Sequence, residues 1–266
     1  MGLCLVKQLL ADGYSVAATS RSRIELENAL GAGCANFLPL VVDIRDENSV
    51  KQSVEAVIRQ FGRIDTVVNN AGYGLIGSLE ELSDEESRAN FEVNVFGMLN
   101  VIRNTMPYLR KQRSGHIFNI SSVNGFSGGI PGFGVFCATK FAVVGLSESL
   151  AAEVKSFGVN VTVVLPGYFR TNFLSSGSLG VPENQVPEYE AVRLSQQAHQ
   201  EKINGNQPGD PEKAIAALIA VSTMESPPLT LFLGKDAYDA ADKRILSIQN
   251  EMDRCEELAM ATEFAQ

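Results

Sequence analysis

The chain has 266 residues, 45% of them hydrophobic and 20% charged, which suits one large α/β domain with a substantial core and leaves too little for a second. Its net charge of −9, with the basic residues scattered along the sequence, argues against a nucleic-acid partner, which would require clustered Lys and Arg. Cys4, Cys34, Cys137 and Cys255 have neither metal-ligand nor disulfide-framework spacing, and His116 and His199 are too few for a histidine-based metal site. The start at Met1-Gly2-Leu3 has no charged leader and no apolar run looks long enough to span a bilayer, so the expectation is a soluble cytoplasmic protein with reduced thiols, no metal and no membrane partner.

In chain order, Leu3, Leu5, Val6, Leu9 and Leu10 make a helix face that Asp12-Gly13 ends, so the sequence opens directly into a helix. Apolar runs of strand length follow at 16–19, 37–42, 66–69, 116–120, 161–165 and 229–233. Amphipathic helices lie between them. Asp46 precedes Val50, Val54, Val57 and Ile58, the capping box Ser83-Asp84-Glu85-Glu86 precedes a long segment at 91–109, and Gly13 and Gly158 sit where helices end. This alternation predicts a doubly wound parallel sheet in a single domain over 1–266. One long stretch, about 174–211, is rich in Ser, Gly, Pro and Gln, and is read as an irregular substrate lid.

Asn119-Ile120-Ser121-Ser122, followed by Phe136-x-x-x-Lys140, resembles the active-site signature of the short-chain dehydrogenase/reductase family, in which Ser, Tyr and Lys act together on a carbonyl or hydroxyl. The resemblance extends over nearly the whole chain and implies a Rossmann-like fold. It assigns Ser122 to the reacting oxygen, with Ser121 beside it, and Lys140 to the cofactor ribose. Phe136 stands where the family has its catalytic tyrosine, so there is no phenol for the lysine to tune. The spacing from Ser122 to position 136 is one residue longer than the family pattern, with Gly128-Gly129 as the insertion. Asn94 matches the asparagine that holds a helix kink and a water linked to the lysine.

The same resemblance implies a dinucleotide site. Asn70-Ala71-Gly72 would line the adenosine ribose, Asp43 and Ile44 the adenine, and Phe169 and Thr171, within Pro166-Gly167-Tyr168-Phe169-Arg170-Thr171, the nicotinamide carboxamide. Arg103 lies where a basic residue sometimes borders the cofactor, although an exposed helix charge is the simpler reading. Arg21 follows the second family strand, where an NAD-preferring member would place a carboxylate; positive charge with several donors suits a 2′-phosphate, so NADP is the cofactor expected. The family's first strand and glycine-rich turn are missing, and only Gly2 matches the tail of that motif. The sequence therefore predicts either a coding region that begins upstream of Met1 or a rebuilt phosphate site, and a sheet lacking its first strand.

The function expected is NADPH-dependent reduction of a ketone, or oxidation of an alcohol, on a small apolar metabolite, fitting a tailoring step of secondary metabolism. The alternatives are a non-redox catalyst of the same fold (isomerase, dehydratase or cyclase) and an inactive partner. A homodimer or homotetramer is expected through the helices at 84–109 and 136–157. Tyr168 and Tyr73 are the candidates for a displaced phenol.

Overall fold

A computed structural model describes residues 1–31 and 34–264. Its strands are β1 (Val16–Ser20), β2 (Phe37–Val41), β3 (Thr66–Asn69), β4 (Gly74–Leu75), β5 (Gly115–Ile120), β6 (Val159–Pro166), β7 (Leu179–Gly180) and β8 (Thr230–Leu233). The α-helices are α1 (Gly2–Ala11), α2 (Arg23–Leu30), α3 (Glu47–Phe61), α4 (Asp84–Phe91), α5 (Met98–Gln112), α6 (Gly134–Val154), α7 (Glu190–Gln197), α8 (Pro211–Ser222) and α9 (Lys235–Met260). The expected parallel sheet is present in two pieces. β1 pairs with β2, while the other long strands form a sheet in the order β3-β5-β6-β8, with Thr66 opposite His116, Gly115 opposite Val159 and Val163 opposite Thr230. Among the described residues β1 and β3 each have a ladder partner on one side only. Helix α1 packs against both pieces. Met1, Cys4 and Leu5 of this N-terminal segment pack against the cluster of Phe118, Val164, Ile215 and Leu218, and Val6 and Leu10 pack against Ala18, Leu26 and Phe37.

The four-stranded sheet is covered on both faces, as a parallel sheet requires. Because successive side chains of a strand point to opposite faces, Val161, Val163 and Leu165 of β6 enter one core with Val50, Leu109, Ile117 and Val143, whereas Val164 enters the other with α8. The predicted helix starts are realised: Asp46 accepts from the Asn48 N–H at 2.9 Å, and Ser83 and Glu86 form a reciprocal capping box.

Two expectations are corrected. The stretch at 174–211 is not irregular throughout: β7 pairs with β4, and α7 continues into a π-helical turn, Ala198–Ile203. The polar composition of that helix hid its one buried face, Val192 and His199. Second, the segment Gly134–Phe157 is long and apolar enough to cross a membrane, contrary to the reading of the sequence. Its apolarity belongs to a central helix, since Phe136, Val143, Leu150 and Val154 of α6 are buried against the sheet and its neighbours.

Candidate active site

A cleft of about 320 Å³ opens at the carboxyl ends of β3, β5 and β6, the end of an open α/β sheet at which ligands characteristically bind. It brings together Asn70, Gly72, Ser122, Phe136, Lys140, Phe169 and Thr171, half of the site residues chosen from the sequence, with Ser121 beside them.

The serines are set by the turn after β5. Ser121 is buried and donates to the Lys140 carbonyl at 2.8 Å, while Ser122 caps the short 3₁₀ turn Val123–Gly125 by accepting from the Asn124 N–H at 3.1 Å. Gly125 permits this approach, because a Cβ there would stand 2.6 Å from the Lys140 carbonyl oxygen. The Ser122 hydroxyl proton remains free to point into the cleft. Ser122 and Phe136 line the same cleft, with Gly128 and Gly129 in the loop before α6.

Lys140 follows Phe136 by one helical turn on α6. Its ammonium donates to the Ile120 carbonyl at 3.0 Å and lies 5.7 Å from the centroid of the Phe136 ring. Burial lowers its pKa to about 8. Phe136 therefore meets the lysine through its π face, in the place where the resemblance expects a phenol. Asn94 sits in a second π-helical turn, Glu92–Gly97, where the changed helix pitch lets its amide donate to the Tyr73 carbonyl and Thr139 hydroxyl, both at 3.1 Å, while its oxygen accepts from the Tyr73 N–H at 3.0 Å. Gly72 lies against this asparagine: a Cβ there would come within 2.9 Å of the Asn94 oxygen and 3.5 Å of the Lys140 ammonium.

The segment after β6 is clamped from two sides. The Tyr168 N–H donates to Asp236 at the start of α9 at 2.6 Å, and the Gly209 N–H and carbonyl bond the Tyr168 carbonyl and the Arg170 N–H, each at 2.9 Å. That bridge leaves the Phe169 N–H outside its ladder. Thr171 lines the cleft and caps the turn Asn172–Leu174.

The remaining predicted residues lie outside the cleft. Ala71 is exposed, and the Asp43 carboxylate is held by the Arg45 side chain and N–H, with Arg21 close enough to lower its pKa further, to about 2. The Ile44 carbonyl accepts from Asn100 at 2.8 Å. Arg103 pairs with Glu47 at 3.1 Å and bonds Asn100, a helix-surface arrangement away from the cleft. Gly2 opens α1 beside Asn70, where a Cβ would stand 2.8 Å from the Asn70 amide nitrogen.

Sequence reasoning missed four groups in the cleft wall. Phe133 and Phe173 flank Phe136 at ring-centroid distances of 6.1 and 5.7 Å. His199 is 6% exposed and meets the Tyr168 hydroxyl at 2.8 Å. Gln207 is 2% exposed, and neither its amide oxygen nor its nitrogen has a hydrogen-bond partner. The available signals were the alignment of Val192 with His199 seven residues on, and a lone Gln before the Gly209-Asp210 helix start.

A nicotinamide dinucleotide fits this arrangement at its ribose and nicotinamide end, where a buried ammonium, close-approach glycine, serine hydroxyl and free backbone N–H converge.

The profile of the family described as short chain dehydrogenase matches residues 1–179. The chain is 35% identical to oxidoreductase BOA17 of Botryotinia fuckeliana over 98% of its own length and 95% of that protein's, and 36% identical to a 3-ketodihydrosphingosine reductase of Bacteroides thetaiotaomicron over 88% and 83%. The crystal structure of a short-chain dehydrogenase from Streptomyces avermitilis superposes with a TM-score of 0.89 at 34% identity, covering 98% of this chain and 94% of that one. With the serine and lysine of the signature in one cleft at the carboxyl edge of a parallel sheet, and the asparagine buried behind Gly72 of its wall, the chain belongs to the short-chain dehydrogenase family of oxidoreductases.

Proposed function

We propose that this protein is an NADPH-dependent reductase, or in reverse an alcohol dehydrogenase, acting on a small and largely apolar metabolite, with a tailoring step of secondary metabolism as its setting in the cytoplasm. The observation that carries the reading is the shared cleft: Ser122, Lys140 and the Phe169–Thr171 segment face an aromatic wall of Phe133, Phe136 and Phe173. Bound there, the cofactor supplies hydride. Ser122 holds and polarises the substrate oxygen, Lys140 holds the ribose, and Asn94 with Gly72 fixes the lysine's surroundings. Asn70, Ala71 and Gly72 would border the adenosine ribose, Asp43 and Ile44 the adenine, Gly2 the phosphates, and Arg21 a 2′-phosphate. Arg103, engaged by Glu47, is assigned no contact.

The aromatic wall selects an apolar body for the substrate. Gln207 adds one requirement, because its unpaired amide favours a ligand with a donor or acceptor at that point of the wall. Exposed Phe96, in the π-helical turn before α5, and Phe141 of α6 support association of two or four copies through the helices at 84–109 and 136–157.

One observation favours a second reading. Phe136 has no proton to give, so the same cleft suits a non-redox isomerase, dehydratase or cyclase in which its ring is simply wall. Incubation with apolar ketones and NADPH or NADH separates the two. The reductase reading expects one NADPH oxidised per alcohol formed, with weaker use of NADH; product without cofactor oxidation supports the second.

A further inference from the structure

Removing the family's phenol from position 136 leaves the reduction short of a proton donor, and the same cleft contains another phenol with a partner. Tyr168 and His199 come from distant parts of the chain, the loop after β6 and the π-helical turn after α7, and meet at 2.8 Å between the phenolic oxygen and Nε2. Both line the cleft with Phe136 and Lys140. The pair is held on every side. Tyr168 is fixed by Asp236 and Gly209, and the His199 ring packs on Phe133 at a centroid distance of 4.8 Å.

The hydrogen bonding sets the direction of the pair. His199 Nδ1 faces the Ser195 carbonyl at 2.7 Å, and since a carbonyl only accepts, Nδ1 carries a proton. In the neutral ring Nε2 is then an acceptor, and the Tyr168 hydroxyl donates to it. Once the ring is protonated, Nε2–H donates to the Tyr168 oxygen, and the phenolic proton is released to face the cleft. Burial, reinforced by the charge of Asp236, raises the Tyr168 pKa, so a lasting phenolate is disfavoured and a proton given up must be replaced.

We propose that Tyr168 and His199 form the proton-donating pair of this protein, in place of the missing tyrosine at position 136. The proposal rests on the reductase reading above. In the step, the carbonyl carbon takes hydride from a reduced nicotinamide cofactor, and the electron pair of the C=O π bond moves to oxygen. That oxygen takes the Tyr168 hydroxyl proton while Tyr168 takes the Nε2 proton of charged His199. The ketone becomes an alcohol, the cofactor leaves oxidised, and neutral His199 regains one proton from water. The other ionisable groups facing the pair are Lys140 across the cleft and Asp236 beneath the Tyr168 backbone. Ser122 keeps its role on the substrate oxygen; Tyr168 is the catalytic residue of the pair and His199 acts through it.

The test combines kinetics with imidazole NMR. Tyr168→Phe should lower kcat for ketone reduction by about 10²- to 10⁴-fold, the range for a positioned general acid, with NADPH affinity unchanged. His199→Gln should lower kcat with little change in KM. Adding Phe136→Tyr to Tyr168→Phe should restore kcat at least tenfold (~1.4 kcal/mol), because the new phenol stands one turn from Lys140. In nitrogen-15 spectra, the chain's two histidines make His199 assignable, and the structure requires a proton on Nδ1 and a shift of the Nε2 signal in Tyr168→Phe. A folded Tyr168→Phe enzyme with wild-type kcat overturns the pair and leaves the reductase reading standing. An Nε2-protonated neutral tautomer overturns the pair without reference to turnover. Absence of any NADPH oxidation by the wild type sinks the reductase reading itself, and the proposal with it.

Discussion

The two pieces of the split sheet are held by different means. Around the cleft, the four-stranded sheet carries buried polar groups that satisfy one another, as with Asn94 against Tyr73 and Thr139, or Asn69 against Asn119 against Ser147. The β1–β2 piece with the chain around it depends on a small apolar cluster and on pairs at the surface, Arg23 with Glu27 and Arg45 with Asp43. Buried networks are expensive to break, whereas exposed pairs contribute about 0–1 kcal/mol each. The four-stranded piece is therefore tied together by interlocking buried polar groups, and the β1–β2 piece is thinly supported.

Substitutions on the two sides should differ accordingly. The largest effect is expected at Glu81, whose fully buried carboxylate accepts from the Ser78 and Val186 N–H groups, each at 2.7 Å, and receives Arg193 of α7 at 2.8 Å. Burial pushes its pKa up, but these donors outweigh burial and hold it below the ordinary carboxylate value. Glu81→Ala should cost roughly 3–5 kcal/mol in urea unfolding, since it strips the acceptor from the Ser78 and Val186 N–H groups and the carboxylate partner from the half-buried Arg193 guanidinium. The native carboxyl contributes stability at neutral pH that is lost as the pH falls through its lowered pKa.

A smaller effect on the same side concerns His116, buried beside Thr162 with its pKa lowered to about 4 by desolvation. Between the ordinary histidine value near 6.5 and 4, the unfolded chain takes up a proton that the folded chain refuses, so stability should fall by roughly 1–3 kcal/mol on acidification across that window. His116→Gln should flatten that part of a melting-temperature profile; an equally steep profile would assign the loss to other groups.

Gln207→Leu inverts the usual sign. Removing two unpaired buried polar atoms should stabilise the fold by about 1–2 kcal/mol while raising KM for the substrate. Stabilisation without a change in KM would show that the amide faces no ligand. The smallest effect is expected for Arg103→Ala, an exposed pair with Glu47: less than about 1 kcal/mol in stability and no change in cofactor affinity.

Much of this arrangement was legible in the sequence, because strands buried on both faces read as apolar runs and helix caps need Asp or Ser at fixed offsets. Asp46, Ser83 and the six strands β1, β2, β3, β5, β6 and β8 were found that way, whereas the two-residue strands β4 and β7 were not. Ser122 and Lys140, chosen by resemblance, line one cleft, and Asn94 lies behind Gly72 of its wall. What the sequence concealed depends on the two π-helical turns, which have no residue code. One turns Asn94 toward Tyr73. The other brings His199 to Tyr168 from a segment whose Gln and Ser content looked like loop. Gln207 was hidden for a related reason: a polar side chain in a polar stretch gives no sign that folding will bury it.

The most direct test of the account is the rate of ketone reduction by wild type and Phe136→Tyr, with NADPH binding measured on both. Lys140 already stands where it would lower the pKa of a phenol at that position, so the account predicts equal NADPH affinity and a rate raised about tenfold, a gain kept below the full worth of a general acid because Tyr168 already supplies the proton. An unchanged or lower rate in a folded variant would contradict it, because the cleft would then not be the carbonyl-reducing site that its serine, lysine and asparagine describe.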